Sequence, residues 1–384
     1  MKKYNICVVS STRADYGLLR NLLFKIKEQK TFNLKLVLTG THFLKDFGNT
    51  YLEAEEDKFE FTRVDIFNKT DSSGDKNIVD SMSKTIKAFN KYFSENKTDA
   101  VILLGDRYEI FSVALTAYTL KLPIFHLHGG EVSFGALDEA YRHCITKMSY
   151  LHFCSNETNR SRIIHMGEAP DRVFNVGALG AENIRKTKLR ASKDILCDLG
   201  IDPGLPYVLF TYHPVTLSKS SIDMEMKEIF DFLRTMKNIS VIITKSNADS
   251  GGEIINGMID DFVKDTPNTY AYNSLGYLRY LSLMKDCTAV IGNSSSGIIE
   301  APVFNVPTVN IGDRQKGRYD GHTIFNCNVT CSEIARAYQS AVKADFSREI
   351  QNGGINTGEK IVSIIDDFLA NDKIDLKKSF HDMV

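Results

Sequence analysis

The stretch AVILLGDRYE, residues 100–109, decides how this chain is read. Its first six residues are apolar or small and would suit burial on both faces of a strand. That pattern belongs to the centre of a parallel sheet covered by helices on either side. Gly105, Asp106 and Arg107 then follow with no spacer. Working outward, KYNICVVS (3–10) and LKLVLTG (34–40) read as further strands. Between them Leu18, Leu19, Leu22, Leu23 and Ile26 share one helical face. Val79, Met82, Ile86, Phe89 and Phe93 step by three and four, which marks an amphipathic helix against a sheet. A helix near 108–120, the strand LPIFHL (122–127) and a helix near 138–149 continue the alternation.

The segment KTKLRASKDILCDLGIDPGLP (186–206) interrupts this rhythm with a charged helix and Asp-Pro-Gly, so a domain boundary is expected there. Alternation resumes with YVLFTYHP (207–214), ISVIITKSN (239–247), CTAVIGNSSSG (287–297) and VPTVNIG (306–312). Helical signals at 332–345 and 358–371 close the chain. Two successive βαβ series predict an α/β protein of two Rossmann-like, doubly wound domains, 1–185 and 186–384, facing a central cleft. The last helix is expected to pack back toward the first domain.

Composition narrows the function classes. Of 384 residues 43% are apolar and 25% charged, and the formal net charge is −1. Such a balance offers no broad field for nucleic acid or a membrane surface, so any anion must be met by local clusters. No apolar run approaches the ~20 residues that span a bilayer. The opening MKKYNICVVSSTR has too short an apolar core for a signal peptide. Seven cysteines, an odd number with no CxxC pair, read as reduced thiols in a cytoplasmic protein. Cys327 and Cys331 lack the neighbouring His and Cys partners that zinc needs, so no metal is expected.

Nearly every unusual cluster falls just past a predicted strand. SSTRADYG (10–17) lacks GxGxxG, which argues against a dinucleotide fingerprint. Its small residues and Arg13 at a helix start suit an anion, or a plain helix cap. After 100–105, Asp106 can serve as a base or an orienting carboxylate and Arg107 as a phosphate ligand; a salt bridge is the other reading. HLHGGEVSFGALDEAYRH (126–143) crowds His128, Glu131, Asp138 and Glu139 around Gly129-Gly130. Crowded carboxylates in a cleft separate in pKa and give one proton donor and one acceptor, with Gly-Gly letting the backbone approach a ligand. Arg142 and His143 can equally pair with those carboxylates and hold the helix. His213 stands beyond 207–211, and Asn247 with Asp249 beyond 239–244. In IGNSSSGIIEAP (291–302) three hydroxyls stand where a helix begins, offering donors to a phosphate, with Glu300 a turn further on for a ribose diol. NIGDRQKGR (310–318) adds Arg314, Lys316 and Arg318.

In this order, SSTRADYG, LLGDRYE, HLHGGE with DEAYRH, HP after a strand, GNSSSG and GDRQKGR resemble the sugar-nucleotide 2-epimerase family, in particular its hydrolysing UDP-N-acetylglucosamine 2-epimerases of sialic acid and surface polysaccharide synthesis. The likeness runs from about residue 3 to 320. It implies a GT-B architecture and the reaction of UDP-GlcNAc with water to N-acetylmannosamine and UDP, with no metal and no nicotinamide or other cofactor. It places UDP near Ser294, Ser295, Glu300, Arg314, His213 and Asn247, with Arg13 and Arg107 contributing from the first domain. Asp106, Glu131 and Asp138 fall at or beside the family's acid–base carboxylates, with His213 a further catalytic candidate. His128 departs from the pattern of members that carry HIEGGE, where a glutamate holds that position. A UDP-2,4-diacetamido-2,4,6-trideoxyhexose is the nearest rival substrate. A UDP-sugar is the expected partner, and a homodimer or homotetramer the expected state.

Overall fold

The computed structural model describes residues 2–66, 75–134, 136–215, 221–246, 251–316, 321–344, 346 and 356–382. The chain forms two compact units. The first comprises Met1–Glu131, Asp138–Arg185 and Gly353–Val384; the second comprises Val132–Leu137 and Lys186–Asn352.

In the first unit the strands are β1 (Tyr4–Ser10), β2 (Phe32–Leu38), β3 (Phe61–Arg63), β4 (Ala100–Leu104), β5 (Ile124–Leu127), β6 (Leu151–Cys154) and β7 (Val173–Asn175). They pair in the order β3-β2-β1-β4-β5-β6-β7, all parallel. Alternate residues of a strand face opposite sides, and both sides here are covered. Ile6, Val8, Ile102 and Leu104 pack with Leu19, Leu22, Leu23 and Ile26 of the helix Arg13–Glu28. Cys7, Val9, Val101 and Leu103 pack with Phe89, Val113 and Ile145 on the opposite side. This is the physical content of the unbroken apolar run.

The second unit repeats the plan with β8 (Tyr207–Thr211), β9 (Ser240–Thr244), β10 (Thr269–Tyr272), β11 (Ala289–Gly292), β12 (Thr308–Ile311) and β13 (Ile324–Cys327), ordered β10-β9-β8-β11-β12-β13 and again parallel. In both sheets the order reverses beside the first strand, between β1 and β4 and between β8 and β11. Loops diverge at such a point and leave room for a ligand beyond the strand ends. At Gly292, φ is +129°, and a Cβ would lie 1.9 Å from the Thr211 carbonyl oxygen, so only glycine lets β11 end this close to β8.

The helix Thr357–Ala370 belongs to the first unit. Ile361, Val362, Ile365 and Leu369 join the core that holds Leu22. The Tyr4 hydroxyl donates to the Leu369 carbonyl at 2.7 Å, and the Gly358 N–H donates to Glu182 Oε2 at 2.6 Å. Beyond it, Lys378 Nζ reaches Glu168 Oε2 at 2.9 Å, where His152, Lys147 and Arg172 also converge. Burial pushes the Glu168 carboxyl up, but the bonds from His152, Lys147 and Lys378 outweigh this and hold it at about 2, below its ordinary 4.5. A carboxyl depressed in the folded state adds stability above its unfolded pKa, and that stability is lost as pH falls from about 4.5 toward 2. Glu168→Gln is therefore expected to cost about 3 kcal/mol at pH 7, because it strands buried cations. It should also flatten the acid limb of stability in urea titrations across that window; an unchanged limb would remove Glu168 from the account.

The apolar runs locate β1, β2, β4, β5, β8, β9, β11 and β12. The strands they leave out are β3, β7, β10 and β13, the four short and half-exposed sheet edges, and β6, whose LHFC is broken by a buried histidine.

Candidate functional site

Chemistry-bearing side chains collect at the carboxyl ends of both sheets. In the first unit Arg142, wholly buried on the helix Asp138–Met148, is the hub. Its Nη2 donates to Asp106 Oδ2, and its Nη1 to the Glu131 carbonyl at 2.9 Å and to Glu139 Oε2 at 2.8 Å. The helix supplies Glu139 at the i−3 spacing that faces one side. Burial opposes the guanidinium charge, yet Asp106, Glu131 and Glu139 outweigh it and raise its pKa. Asp106 and the Glu131 turn, which leave different strands, are thus tied to one cation. Asp138 opens the same helix, half-buried, and His143 Nε2 meets Glu139 Oε1 at 3.1 Å.

His128 has φ +61°, a left-handed conformation rare for a side chain with a Cβ and concentrated at functional positions. Its Nδ1 lies 3.0 Å from Glu131 Oε1, and its buried Nε2 has no hydrogen-bond partner among the described residues. By contrast His126 is structural. Its nitrogens meet the Gly105 carbonyl at 2.8 Å and Thr146 Oγ1 at 3.2 Å, and burial pulls its pKa down to about 3, leaving a neutral ring.

At this end of the sheet one expectation changes, and two segments take the structural reading that the sequence had left open beside the functional one. Gly129 and Gly130 make close approaches to protein, not to an open space: a Cβ on Gly130 would lie 2.4 Å from the Asn159 carbonyl oxygen, and one on Gly129 2.9 Å from His126 Nδ1. The SSTRADYG turn is a closed capping box. Asp15 Oδ2 takes the Ser11 and Thr12 N–H groups at 3.1 and 3.0 Å and the Ser11 hydroxyl at 2.7 Å, so those donors face a carboxylate rather than an anion from outside. Arg13 begins that helix, half-buried. Arg107 is gripped as a fork by the wholly buried Glu109, with both contacts at 3.1 Å.

In the second unit Asn293 organises the strand ends. Its side chain accepts from the His213 N–H and donates to the His213 carbonyl, each at 2.7 Å. Its own carbonyl accepts from Arg314 Nη1 at 3.2 Å and Gln315 Nε2 at 2.7 Å. His213 Nδ1 stands 3.1 Å from Ser246 Oγ. Ser294 caps the short helix Ser295–Ile299, and Ser296 Oγ meets the Tyr280 hydroxyl at 2.6 Å; Glu300 ends the helix. His213, Ser294, Ser295, Glu300 and Arg314 therefore lie in one neighbourhood. Lys316 Nζ sits 5.4 Å over the Phe134 ring. Asn247, Asp249 and Arg318 lie outside the described residues.

Residues the motif reading did not assign are Glu109, Ser155, Asn159, Asn293 and Gln315, together with the hub role of Arg142. Two of these carry a signal in the sequence: Arg142 lies three and four residues after Glu139 and Asp138 on one helix, and Asn293 immediately precedes the serines. Among the described residues no cluster of His, Cys, Asp or Glu is arranged to hold a metal ion, and no helix is long and apolar enough to cross a membrane.

The sequence profile of the UDP-N-acetylglucosamine 2-epimerases matches residues 24–366. A GDP/UDP-N,N'-diacetylbacillosamine 2-epimerase (hydrolyzing) of Campylobacter jejuni is 39% identical over 350 residues, covering 91% of this chain and 90% of the relative. Polysialic acid biosynthesis protein P7 of Escherichia coli is 38% identical over 392 residues, covering 100% and 98%. The structure of UDP-GlcNAc 2-epimerase from Methanocaldococcus jannaschii, in complex with UDP-GlcNAc and UDP, superposes with a TM-score of 0.79 at 16% identity, covering 94% of this chain and 99% of that one. That likeness gives the fold, the GT-B class expected from the sequence. The matched profile and the two relatives give the family: the chain belongs to the UDP-N-acetylglucosamine 2-epimerases.

Proposed function

We propose that the protein is a hydrolysing UDP-sugar 2-epimerase that converts UDP-GlcNAc and water to N-acetylmannosamine and UDP. The observation that carries this reading is the pair of side-chain sets at the strand ends. The first unit holds proton-handling groups, Asp106, His128, Glu131 and Asp138. The second holds donors suited to a diphosphate, Ser294, Ser295 and Arg314, with His213 beside them; Glu300, at the end of the same short helix, is our candidate for the ribose hydroxyls. The chemistry needs both. A proton leaves C2 while its electron pair forms the C1=C2 bond; the C1–O bond breaks, and its pair departs on the β-phosphate of UDP. Water then adds hydroxyl at C1 and a proton at C2 from the opposite side. Fixed cations and N–H or O–H donors stabilise the departing diphosphate, and positioned bases and acids move the two protons.

The Campylobacter relative supports a second substrate, a UDP-diacetamido-trideoxyhexose. Proton NMR of the pure protein with UDP-GlcNAc in deuterated water separates the readings. The expected products are UDP and N-acetylmannosamine carrying deuterium at C2. Unchanged UDP-GlcNAc together with turnover of the diacetamido sugar selects the second substrate, and release of UDP only with an acceptor sugar indicates a glycosyltransferase. Arg314→Ala is expected to weaken UDP binding about 10- to 100-fold, as loss of a charged hydrogen bond would; an unchanged Kd by calorimetry would take Arg314 out of the site. With its free cysteines the chain fits a reducing cytoplasm, and a homodimer or homotetramer is testable by light scattering.

A further inference from the structure

The strained histidine is backed by a chain of hydrogen bonds that a surface loop would not need. Glu131 Oε1, which meets His128 Nδ1 at 3.0 Å, also accepts from Ser155 Oγ at 3.3 Å. Ser155 Oγ in turn accepts from Asn159 Nδ2 at 2.9 Å, and Asn159 Oδ1 accepts from Arg162 Nη1 at 3.1 Å. Arg162 Nη1 also donates to the Gly130 carbonyl. The His128 N–H is held by the Phe153 carbonyl at 2.9 Å. Ser155 follows β6, and Asn159 and Arg162 lie on the helix Glu157–His165, so the start of this helix is the anvil on which the 128–131 turn is shaped.

A carboxylate only accepts hydrogen bonds, so the proton between His128 and Glu131 lies on Nδ1. With its one proton on Nδ1, the imidazole carries its lone pair on Nε2, the buried atom without a partner among the described residues. We propose that His128 Nε2 is the base that receives the C2 proton, and that Glu131, Ser155 and Asn159 are positioning residues that fix its tautomer and aim. The identity of the proton rests on the epimerase reading; the tautomer does not. On transfer, Nε2 gains the proton, the ring becomes an imidazolium facing the Glu131 carboxylate, and the C2–H electron pair passes into the C1=C2 bond. Members that carry HIEGGE have a carboxylate at this position, whereas here an imidazole takes that place and Glu131 supports it. The packed elements also carry Asp138, Glu139, Arg142, His143, Cys144 and Lys147 on the helix Asp138–Met148, His152 and Cys154 on β6, and Glu157, Arg160, Arg162 and His165 on the helix Glu157–His165. The two arginines that bond this turn donate to backbone carbonyls, at Glu131 and Gly130, and leave the ring to Glu131.

Nitrogen-15 NMR of histidine-labelled protein at neutral pH tests the tautomer without substrate. One ring among the nine histidines, identified by its loss in His128→Gln, should carry hydrogen on Nδ1 and a bare Nε2. In Glu131→Gln, whose amide can donate to Nδ1, this ring should change to the Nε2–H form. The pH profile of kcat tests the base. His128→Glu should retain turnover and move the acid limb down by about 2 pH units, from the imidazole toward the carboxylate range. Ser155→Ala, which touches no reacting atom, should lower kcat several-fold with KM nearly unchanged. An Nε2–H ring in the wild type, or an acid limb that stays put in His128→Glu, overturns the proposal. Absence of turnover on any UDP-sugar, with the Nδ1–H ring present, would overturn the epimerase reading and the C2 assignment while leaving the tautomer and its positioning residues standing.

Discussion

Asp106→Asn is expected to lower kcat by at least ~100-fold, the usual contribution of a positioned proton-transfer group, while the protein stays folded. Asparagine matches aspartate in shape, and its amide oxygen can still accept the Nη2 hydrogen bond of Arg142. Arg142 also keeps Glu139 and the Glu131 carbonyl, so the buried guanidinium is not stranded. What disappears is the negative charge and the ability to take up a proton. Circular dichroism and Tm should therefore remain close to wild type while turnover collapses and the Kd for UDP changes little. Wild-type-like rates would remove Asp106 from the mechanism. A collapse of Tm would instead make it an anchor for Arg142.

Arg142→Met carries the other large effect, and there it falls on the fold. Removing the guanidinium leaves the Asp106 and Glu139 carboxylates repelling each other beside an unsatisfied Glu131 carbonyl. Losing one partner of a buried ionic group costs about 3–5 kcal/mol, which in a unit of this size lowers Tm by roughly 10 °C. Activity should vanish with it, since the same bonds hold Asp106 and the 128–131 turn in register. Arg142→Lys tests the geometry: the charge returns, but a single ammonium lacks the planar fork that serves several acceptors at once. Partial recovery of Tm with poor recovery of kcat is the expected pattern. Full recovery of both would show that charge alone is needed there.

What the sequence makes legible follows from where burial acts. Strands such as 100–104, covered on both sides, leave an unbroken apolar record, and so do the helices that cover them. The strands Phe61–Arg63 and Ile324–Cys327 are too short and too exposed to leave one. The site shows the same division. Asp106, Glu131 and Ser294 stand directly after strands and can be found by position. The Gly-Gly pair reads equally well as a ligand approach, and only coordinates reveal that its close neighbours are Asn159, Thr146 and Ile163. The clamp of Asn293 on His213 joins residues 80 positions apart, a pairing that no local periodicity encodes.

The first unit draws its final helix from residues that follow the whole of the second sheet. During synthesis, residues 186–352 are made before 357–370, so the first unit waits for its last helix while the whole of the second is translated. In that interval the flank of Leu22, so close to Gly358 in the finished fold that a Cβ added there would lie 3.7 Å from the Leu22 Cα, lacks the cover of Ile361, Val362 and Ile365. Nascent chains of this length present an apolar face to water and to one another. A holdase chaperone would then matter most until residues 357–370 have been made and docked.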